Sequence, residues 1–181
     1  LIHAATMVVA GVYLVARMLP VFELAPGALE LVLAIGLVTA LLAGVIAIVQ
    51  TDIKKVLAYS TISQLGFMFI ALGTGAVGVA MFHLVTHAFF KAALFLGSGS
   101  VIHMTDEQDV SKLGGLWWRM PVTAITFTIS ALALAGIAPL SGFFSKDEIF
   151  AVVARTQDDS ILILLGIAAF LSAVYMTRLV I

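Results

Sequence analysis

Cysteine is absent from this chain of 181 residues. That excludes disulfides, iron–sulfur clusters held by thiolates and thiol catalysis, and leaves the compartment open. Charge is scarce as well: 10% of residues are charged, against about 25% in ordinary globular chains. Nine Lys and Arg against ten Asp and Glu leave a net charge of −1, which offers no basic face for nucleic acid. No nucleotide loop, catalytic triad or pair of acid–base carboxylates is present. Gly73-Thr74-Gly75 follows an apolar helical run rather than a strand, the wrong context for a phosphate loop. What is present is apolar: 62% of residues, above the roughly 45–50% of soluble domains. With so little polar surface, most of the chain must face lipid or other apolar helices. Leu1 and Ile181 both lie inside apolar runs, so the chain is expected to be a piece of a longer membrane protein. The lack of a visible signal peptide then carries little information.

A spanning helix needs about 20 apolar residues to cross roughly 30 Å of hydrocarbon. Six segments are predicted, at 2–19, 28–49, 56–72, 79–103, 121–154 and from 161 onward. The expected fold is all-α, a polytopic transmembrane helix bundle of about six helices, one of them discontinuous. Residues 20–27, 50–55, 73–78 and 105–120 read as connections. Trp117 and Trp118, beside Arg119 and Pro121, suit an aromatic belt at the membrane surface. The discontinuity is predicted at Ala138-Pro139-Leu140-Ser141-Gly142, with the helix resuming at Phe143. Pro139 removes an amide donor and Gly142 weakens the next turn. Irregular backbone at membrane depth is tolerated only inside protein or along a wet cavity, and broken helices recur at ion sites of secondary transporters. The plainer alternative is two short segments joined by a surface turn. If the helices alternate, Lys54, Lys55, Lys112 and Arg119 fall on one side and Arg17 and Arg155 on the other, which favours the first side as cytoplasmic.

The sharpest signal is His83-Leu84-Val85-Thr86-His87-Ala88-Phe89-Phe90-Lys91. Positions i, i+4 and i+8 drift by only about 40° per step, so His83, His87 and Lys91 form a polar stripe about 12 Å long. Thr86 lies beside it. A lysine at the bilayer centre costs several kcal/mol on insertion scales and should face a protein or water-filled interior. A lysine withdrawn from water gives up its proton more readily, and histidine titrates near neutrality and can pass a proton between its two nitrogens. Such a row, bridged by water, is a proton path. Two plainer readings remain: Lys91 snorkels to an interface, or the histidines share a metal, although no carboxylate or third histidine is close in sequence.

Lys146 is the second intramembrane candidate, just after the break. Asp147 and Glu148 either pair with it or mark a helix start exposed to water. Lys54 and Lys55 follow Asp52 at a helix start and read as surface anchors, or Lys54 points inward as a proton entry group. His3 has only Thr6 nearby and reads alone as a packing histidine. Tyr59, Ser60, Thr61, Ser63 and Gln64 can hydrogen-bond across helices or hold water. His103 and residues 106–109 read as a solvated loop. Glycines 36, 44, 66, 97 and 99 read as helix-packing positions.

Four of these stretches carry a family resemblance. They are Leu1-Ile2-His3-Ala4-Ala5-Thr6-Met7, Gln50-Thr51-Asp52-Ile53-Lys54-Lys55-Val56-Leu57-Ala58-Tyr59-Ser60-Thr61, His83 through Ala92, and Ser141-Gly142-Phe143-Phe144-Ser145-Lys146-Asp147-Glu148. In this order they resemble the antiporter-like subunits of respiratory complex I (NADH:quinone oxidoreductase), the distal L-type above all, called subunit 5 in mitochondria. The resemblance implies two five-helix inverted repeats, each with one broken helix. Residues 1–19 would close the first repeat, and 28–181 would form the second, truncated at its end, with 121–154 as its broken helix. It also implies a proton path through Lys91, Lys146, His83, His87 and Lys54, with His3 between two half-channels and Asp52, Thr86, Asp147 and Glu148 in possible supporting roles. It implies no catalytic residue, metal or cofactor on this chain. NADH, FMN, iron–sulfur clusters and quinone would sit on partner subunits. The partners would be other membrane subunits, a neighbouring antiporter-like one above all, in a bacterial cell membrane or mitochondrial inner membrane.

The first repeat, with the family's Glu–Lys pair, is missing, so this stretch alone is not expected to transport ions. Half of a pseudo-symmetric bundle is expected to leave its polar stripe facing lipid and to aggregate. Large subunits of multi-subunit Na+/H+ antiporters and membrane subunits of energy-converting hydrogenases share most of these motifs. Residues 106–116 look more like the complex I version. A module holding haem or metal on His83 and His87 is the remaining class, and one helix makes a poor host for haem.

Overall fold

The computed structural model describes residues 7–181, and His3 lies outside the described residues. The helices are α1 (Ala10–Arg17), α2 (Leu19–Phe22), α3 (Pro26–Val49), α4 (Ile53–Gly73), α5 (Val77–Thr105), α6 (Leu116–Arg119), α7 (Pro121–Ala135), α8 (Ser141–Thr156) and α9 (Asp159–Val180). A 3-10 turn at Val110–Lys112 precedes α6. Among the described residues α3, α4, α5 and α9 are long and apolar enough to cross a membrane, and α7 is a shorter apolar helix. The expected connection at 20–27 is partly helical: Pro20 lies in the first turn of α2 and Pro26 opens α3. Proline suits both places, because the first-turn amides of a helix have no partner within it.

The sequence pattern of each helix sets its position. On α3, Leu31, Ile35, Val38, Leu42, Val45 and Val49 are exposed, while Leu33, Leu37, Ala40 and Ala47 are buried. These are two faces of one apolar helix, the outer one suited to lipid. α4 carries more hydroxyls and an amide and is buried on nearly every side; Ser60, Ser63 and Gln64 are fully enclosed. In a lipid solvent the polar helix belongs at the centre and the uniformly apolar ones around it. α3 and α4 come closest where Gly36 meets Gly66. A Cβ on Gly66 would lie 2.6 Å from the Gly36 carbonyl oxygen, and one on Gly36 would lie 2.9 Å from that of Gly66. Gly97 packs against Phe127 and Gly44 against Leu171, whereas a Cβ on Gly99 would meet nothing. The packing expectation for Gly99 is therefore corrected: it sits on the exposed face of α5.

The discontinuity occupies residues 136–140, two residues earlier than the sequence pattern suggests. Gly136 ends α7 in the left-handed region at φ +86°, and its amide and that of Ile137 bond back to Leu132. Ser141 and Gly142 already belong to α8. Gly142 does not weaken that helix but lets it touch α7, since a Cβ there would lie 1.8 Å from the Ala133 carbonyl oxygen.

The connections 50–53 and 106–113 meet at one end of the bundle. Ile53 N donates to Gln108 O at 3.0 Å and Val110 N to Thr51 O at 2.8 Å, a short antiparallel bridge. Asp52 caps α4 by accepting from Lys54 N at 2.8 Å and Lys55 N at 3.3 Å. Arg178, from the end of α9, donates to the carbonyls of Ile48 and Gln50, satisfying free acceptors at the end of α3. Lys54, Lys55, Lys112 and Arg178 thus share one end. Trp117 and Trp118 are exposed on α6 near it.

Two tests follow from this packing. Gly66→Ala and Gly142→Ala in the full-length parent should each cost about 1–3 kcal/mol, the usual penalty of overpacking, while Gly99→Ala should be neutral or slightly stabilising. Thermal unfolding of the purified parent reads all three. The loop bridge should fail in acid. Backbone amides of Asp109 and Gln108 hold the Glu107 carboxyl below its ordinary value, and the Ser111 hydroxyl and amide do the same for Asp109. A depressed folded pKa gives stability that is present above the ordinary carboxylate range near 4 and is lost as pH falls through the folded values. Hydrogen-exchange protection of the Ile53 and Val110 amides should therefore be constant from pH 7 to 5 and fall below about pH 4.

Candidate functional site

Helical periodicity aligns His83, His87 and Lys91 along α5, which packs against α4, α7 and α8, and all three are fully buried. The expectation that the stripe faces lipid is thereby corrected. α4, α7 and α8 pack on α5 within this one unit, so the chain supplies its own polar interior. Lys91 does not snorkel. Its Nζ donates to the Leu57 carbonyl at 3.0 Å and to Ser60 Oγ. Ser60 and Thr61 also donate to the Leu57 carbonyl.

The break in α7–α8 solvates the second lysine. The last carbonyls of a helix lack intrahelical partners and carry partial negative charge. Lys146 Nζ donates to two of them, Leu134 O at 2.8 Å and Ala135 O at 3.5 Å, and to Ser172 Oγ at 2.7 Å. Those three acceptors match the three donors of an ammonium group. The Phe67 ring centroid, 5.3 Å from Nζ, adds a cation–π contact. Asp147 and Glu148 are exposed and do not pair with Lys146. Among the described residues no carboxylate bonds to either buried lysine; the ion pair present, Lys112–Glu107 at 3.4 Å, lies in the loop.

Between the lysines lies a hydrogen-bonded cluster. His83 Nδ1 is 2.9 Å from Ser145 Oγ, and His83 Nε2 is 3.1 Å from Gln64 Oε1. Thr86 Oγ1 lies 3.0 Å from Ser145 Oγ. The Gln64 amide donates to Tyr175 OH at 3.3 Å. His87 stands apart. Its ring packs edge-on against Phe90, with centroids 5.4 Å apart, and lies 6.4 Å from the His83 ring. Neither of its ring nitrogens has a hydrogen-bond partner. A shared metal on His83 and His87 does not suit this geometry, because both His83 nitrogens are already engaged.

The structure thus brings His83, His87, Lys91, Lys146 and Thr86 into one interior. It does not bring Lys54 there: Lys54 is exposed at the start of α4, and Asp52 serves as that helix's cap. Ser145, Ser172 and Tyr175 belong to the cluster and were not singled out from sequence. Ser172 had a usable signal, being the first hydroxyl in the apolar run that starts at Ile161. Arg178 was also missed.

The family model described as "NADH:quinone oxidoreductase/Mrp antiporter, TM" matches residues 1–172. NADH-quinone oxidoreductase subunit L of Rickettsia bellii (strain RML369-C) is 54% identical over 181 residues, covering 99% of this chain and 28% of that relative. Subunit L of Pseudomonas aeruginosa is 53% identical over 182 residues, covering 99% of this chain and 30% of its own length. Among solved structures, the Mrp complex from Dietzia sp. DQ12-45-1b contains a chain of 37% identity and TM-score 0.93, covering 99% of this chain and 21% of that one. A chain of the membrane-bound sulfane sulfur reductase, an archaeal respiratory membrane complex, gives 31% identity and TM-score 0.90, covering 98% of this chain and 38% of that one. This chain therefore spans less than a third of the length of those curated relatives, and over nearly all of its own residues it belongs to the transmembrane family of NADH:quinone oxidoreductase and Mrp antiporter subunits.

Proposed function

We propose that this chain forms part of the proton path of a membrane subunit of an NADH:quinone oxidoreductase. In this reading residues 28–181 are one repeat of an antiporter-like fold. The redox groups and quinone belong to partner subunits, among them a neighbouring antiporter-like one. The observation that carries the proposal is the pair of buried lysines, Lys91 and Lys146, held by carbonyls and hydroxyls with His83 and His87 between them. A buried ammonium without a carboxylate is not locked in its charged form by a neighbouring anion, so it can give up and regain a proton as the local potential changes. Ser60, Ser145, Ser172 and Thr86 are hydroxyls that both donate and accept, which suits proton relay.

A second reading, a subunit of a Na+/H+ antiporter, is favoured by the likeness to a chain of the Mrp complex. The buried cluster argues for protons, since hard cations favour carboxylate ligands, and the ionisable groups of this cluster are amines and imidazoles, with no carboxylate bonded to them among the described residues. Sodium-dependent proton uptake by vesicles without NADH would favour the antiporter.

The decisive measurement is proton uptake into sealed vesicles on NADH addition, followed alongside NADH oxidation, in the full-length parent within its complex. Lys91→Ala and Lys146→Ala should each lose most uptake, by about tenfold or more, as expected when a positioned proton-transfer group is removed. Normal assembly with unchanged uptake in Lys91→Ala would make Lys91 a packing residue and overturn the reading.

A further inference from the structure

His83 has two exits, and they are not alike. Its Nδ1 faces Ser145 Oγ at 2.9 Å, a hydroxyl on the helix of Lys146 that in turn contacts Thr86. Its Nε2 faces Gln64 Oε1 at 3.1 Å. A hydroxyl accepts one proton while releasing another. A carboxamide does not: its oxygen is a weak base and its NH2 is not an acid at neutral pH, so a proton chain that reaches it stops. With Oε1 toward the ring, Nε2 carries the hydrogen and Nδ1 accepts from Ser145. His83 in this arrangement exchanges protons with Ser145, which stands on the Lys146 side without a hydrogen bond to Lys146 itself, and ends on an amide in the other direction.

The next group toward Lys91 is His87, one helical turn along α5, with neither ring nitrogen partnered. The hydrogen-bonded groups therefore form three separate sets, one of them Lys146 with Ser172 and the carbonyls that end α7. Another contains Lys91, Ser60 and the Leu57 carbonyl. The third contains His83, Ser145, Thr86, Gln64 and Tyr175. Gln64 is fully buried and tethered at both ends, to His83 on α5 and to Tyr175 on α9.

We infer that Gln64 is the latch of the proton path: while its amide holds His83 Nε2, no proton passes between the Lys146 side and the Lys91 side. The inference rests on the proton-path reading and adds to it a residue that positions His83. In the open form Gln64 leaves Nε2 and a water takes its place. Ser145 Oγ–H then gives its proton to Nδ1 and regains one from Lys146 through a second bridging water, since no hydrogen bond joins the two side chains directly. The Nε2 proton leaves through the water toward His87, and the ring stays neutral once both transfers are complete. Because Gln64 also holds Tyr175, a shift of α9 against α4 is the movement that would release it.

The test is passive proton conductance of the assembled complex in proteoliposomes, with an imposed pH gradient and no NADH. Gln64→Glu keeps the shape and substitutes a group that can take and release a proton. It should raise conductance about a hundredfold, the lower end of what a positioned proton-transfer group supplies. Adding Lys91→Ala to that variant should abolish the leak, which a loosened bundle would not do. Tyr175→Phe keeps the ring and frees the far end of the amide, and it should leak less but with the same dependence on Lys91. An assembled Gln64→Glu complex as tight as the parent overturns the latch. If that variant does not assemble, a tight Tyr175→Phe complex does so. Loss of NADH-driven uptake in Lys91→Ala beside a tight Gln64→Glu complex would sink the latch and leave the proton-path reading standing. Unchanged uptake in Lys91→Ala would sink that reading itself.

Discussion

The arrangement depends on how an ammonium group is kept inside an apolar bundle without a carboxylate. A buried charge with no partner costs several kcal/mol, and the usual remedy is an ion pair. Here backbone carbonyls and hydroxyls provide the compensation. For Lys91 they come from one turn of α4, at the Leu57 carbonyl and Ser60. For Lys146 they come from the broken end of α7, joined by Ser172 from α9. An uninterrupted helix would have spent the Leu134 and Ala135 carbonyls on its own hydrogen bonds. The break is therefore the solvation shell of Lys146, and Gly136 and Gly142 let it form at that place.

The same constraint orders the helices. α4 carries the acceptor for Lys91 and the amide for His83, so it must sit between α5 and α9. It can do so only if its outer neighbour comes close, and the Gly36–Gly66 contact draws α3 onto it. α3 then shields the polar helix from lipid with its own apolar outer face. The capping of α3 by Arg178 and of α4 by Asp52 fixes the ends of that pair. Backbone groups with no partner at such depth would otherwise be costly.

Periodic features could be read from the sequence, whereas features that join distant residues could not. The all-helical class and the four long spans α3, α4, α5 and α9 followed from apolar run length, whereas the short helices α2 and α6 did not. The stripe of His83, His87 and Lys91 followed from a spacing of four. The break was visible through Pro139 but was misplaced by two residues. Its start is set by the left-handed Gly136, and glycine alone does not announce which conformation it adopts. Exposure of the stripe was misjudged, because the hydroxyls of α4 gave no sign of which helix they would face. Ser172 and Tyr175 lie 26 and 111 residues from the groups they bond, and no local pattern links such pairs. Arg178 was overlooked for the same reason, since its partners are carbonyls 130 and 128 residues away.

In the proposed path conduction and tightness must coexist. Moving one charge against 100 mV requires about 2.3 kcal/mol, so a continuously bonded chain of relays would dissipate the gradient it was meant to build. A path built wholly of hydroxyls and imidazoles would have that fault. A path blocked by an apolar plug would need a large rearrangement to open. An amide lies between these limits. It satisfies the imidazole nitrogen, so the closed form leaves no buried polar atom of His83 unpaired. It does not relay, so the closed form is also tight. His87 has no protein hydrogen-bond partner for either ring nitrogen. It therefore depends on water for hydrogen bonds, and water is also what the open form brings to His83 Nε2. The bonds Gln64 makes to two other helices oppose that opening. A balance of a few kcal/mol between hydration and those bonds is of the size that a change of charge in a neighbouring subunit can tip.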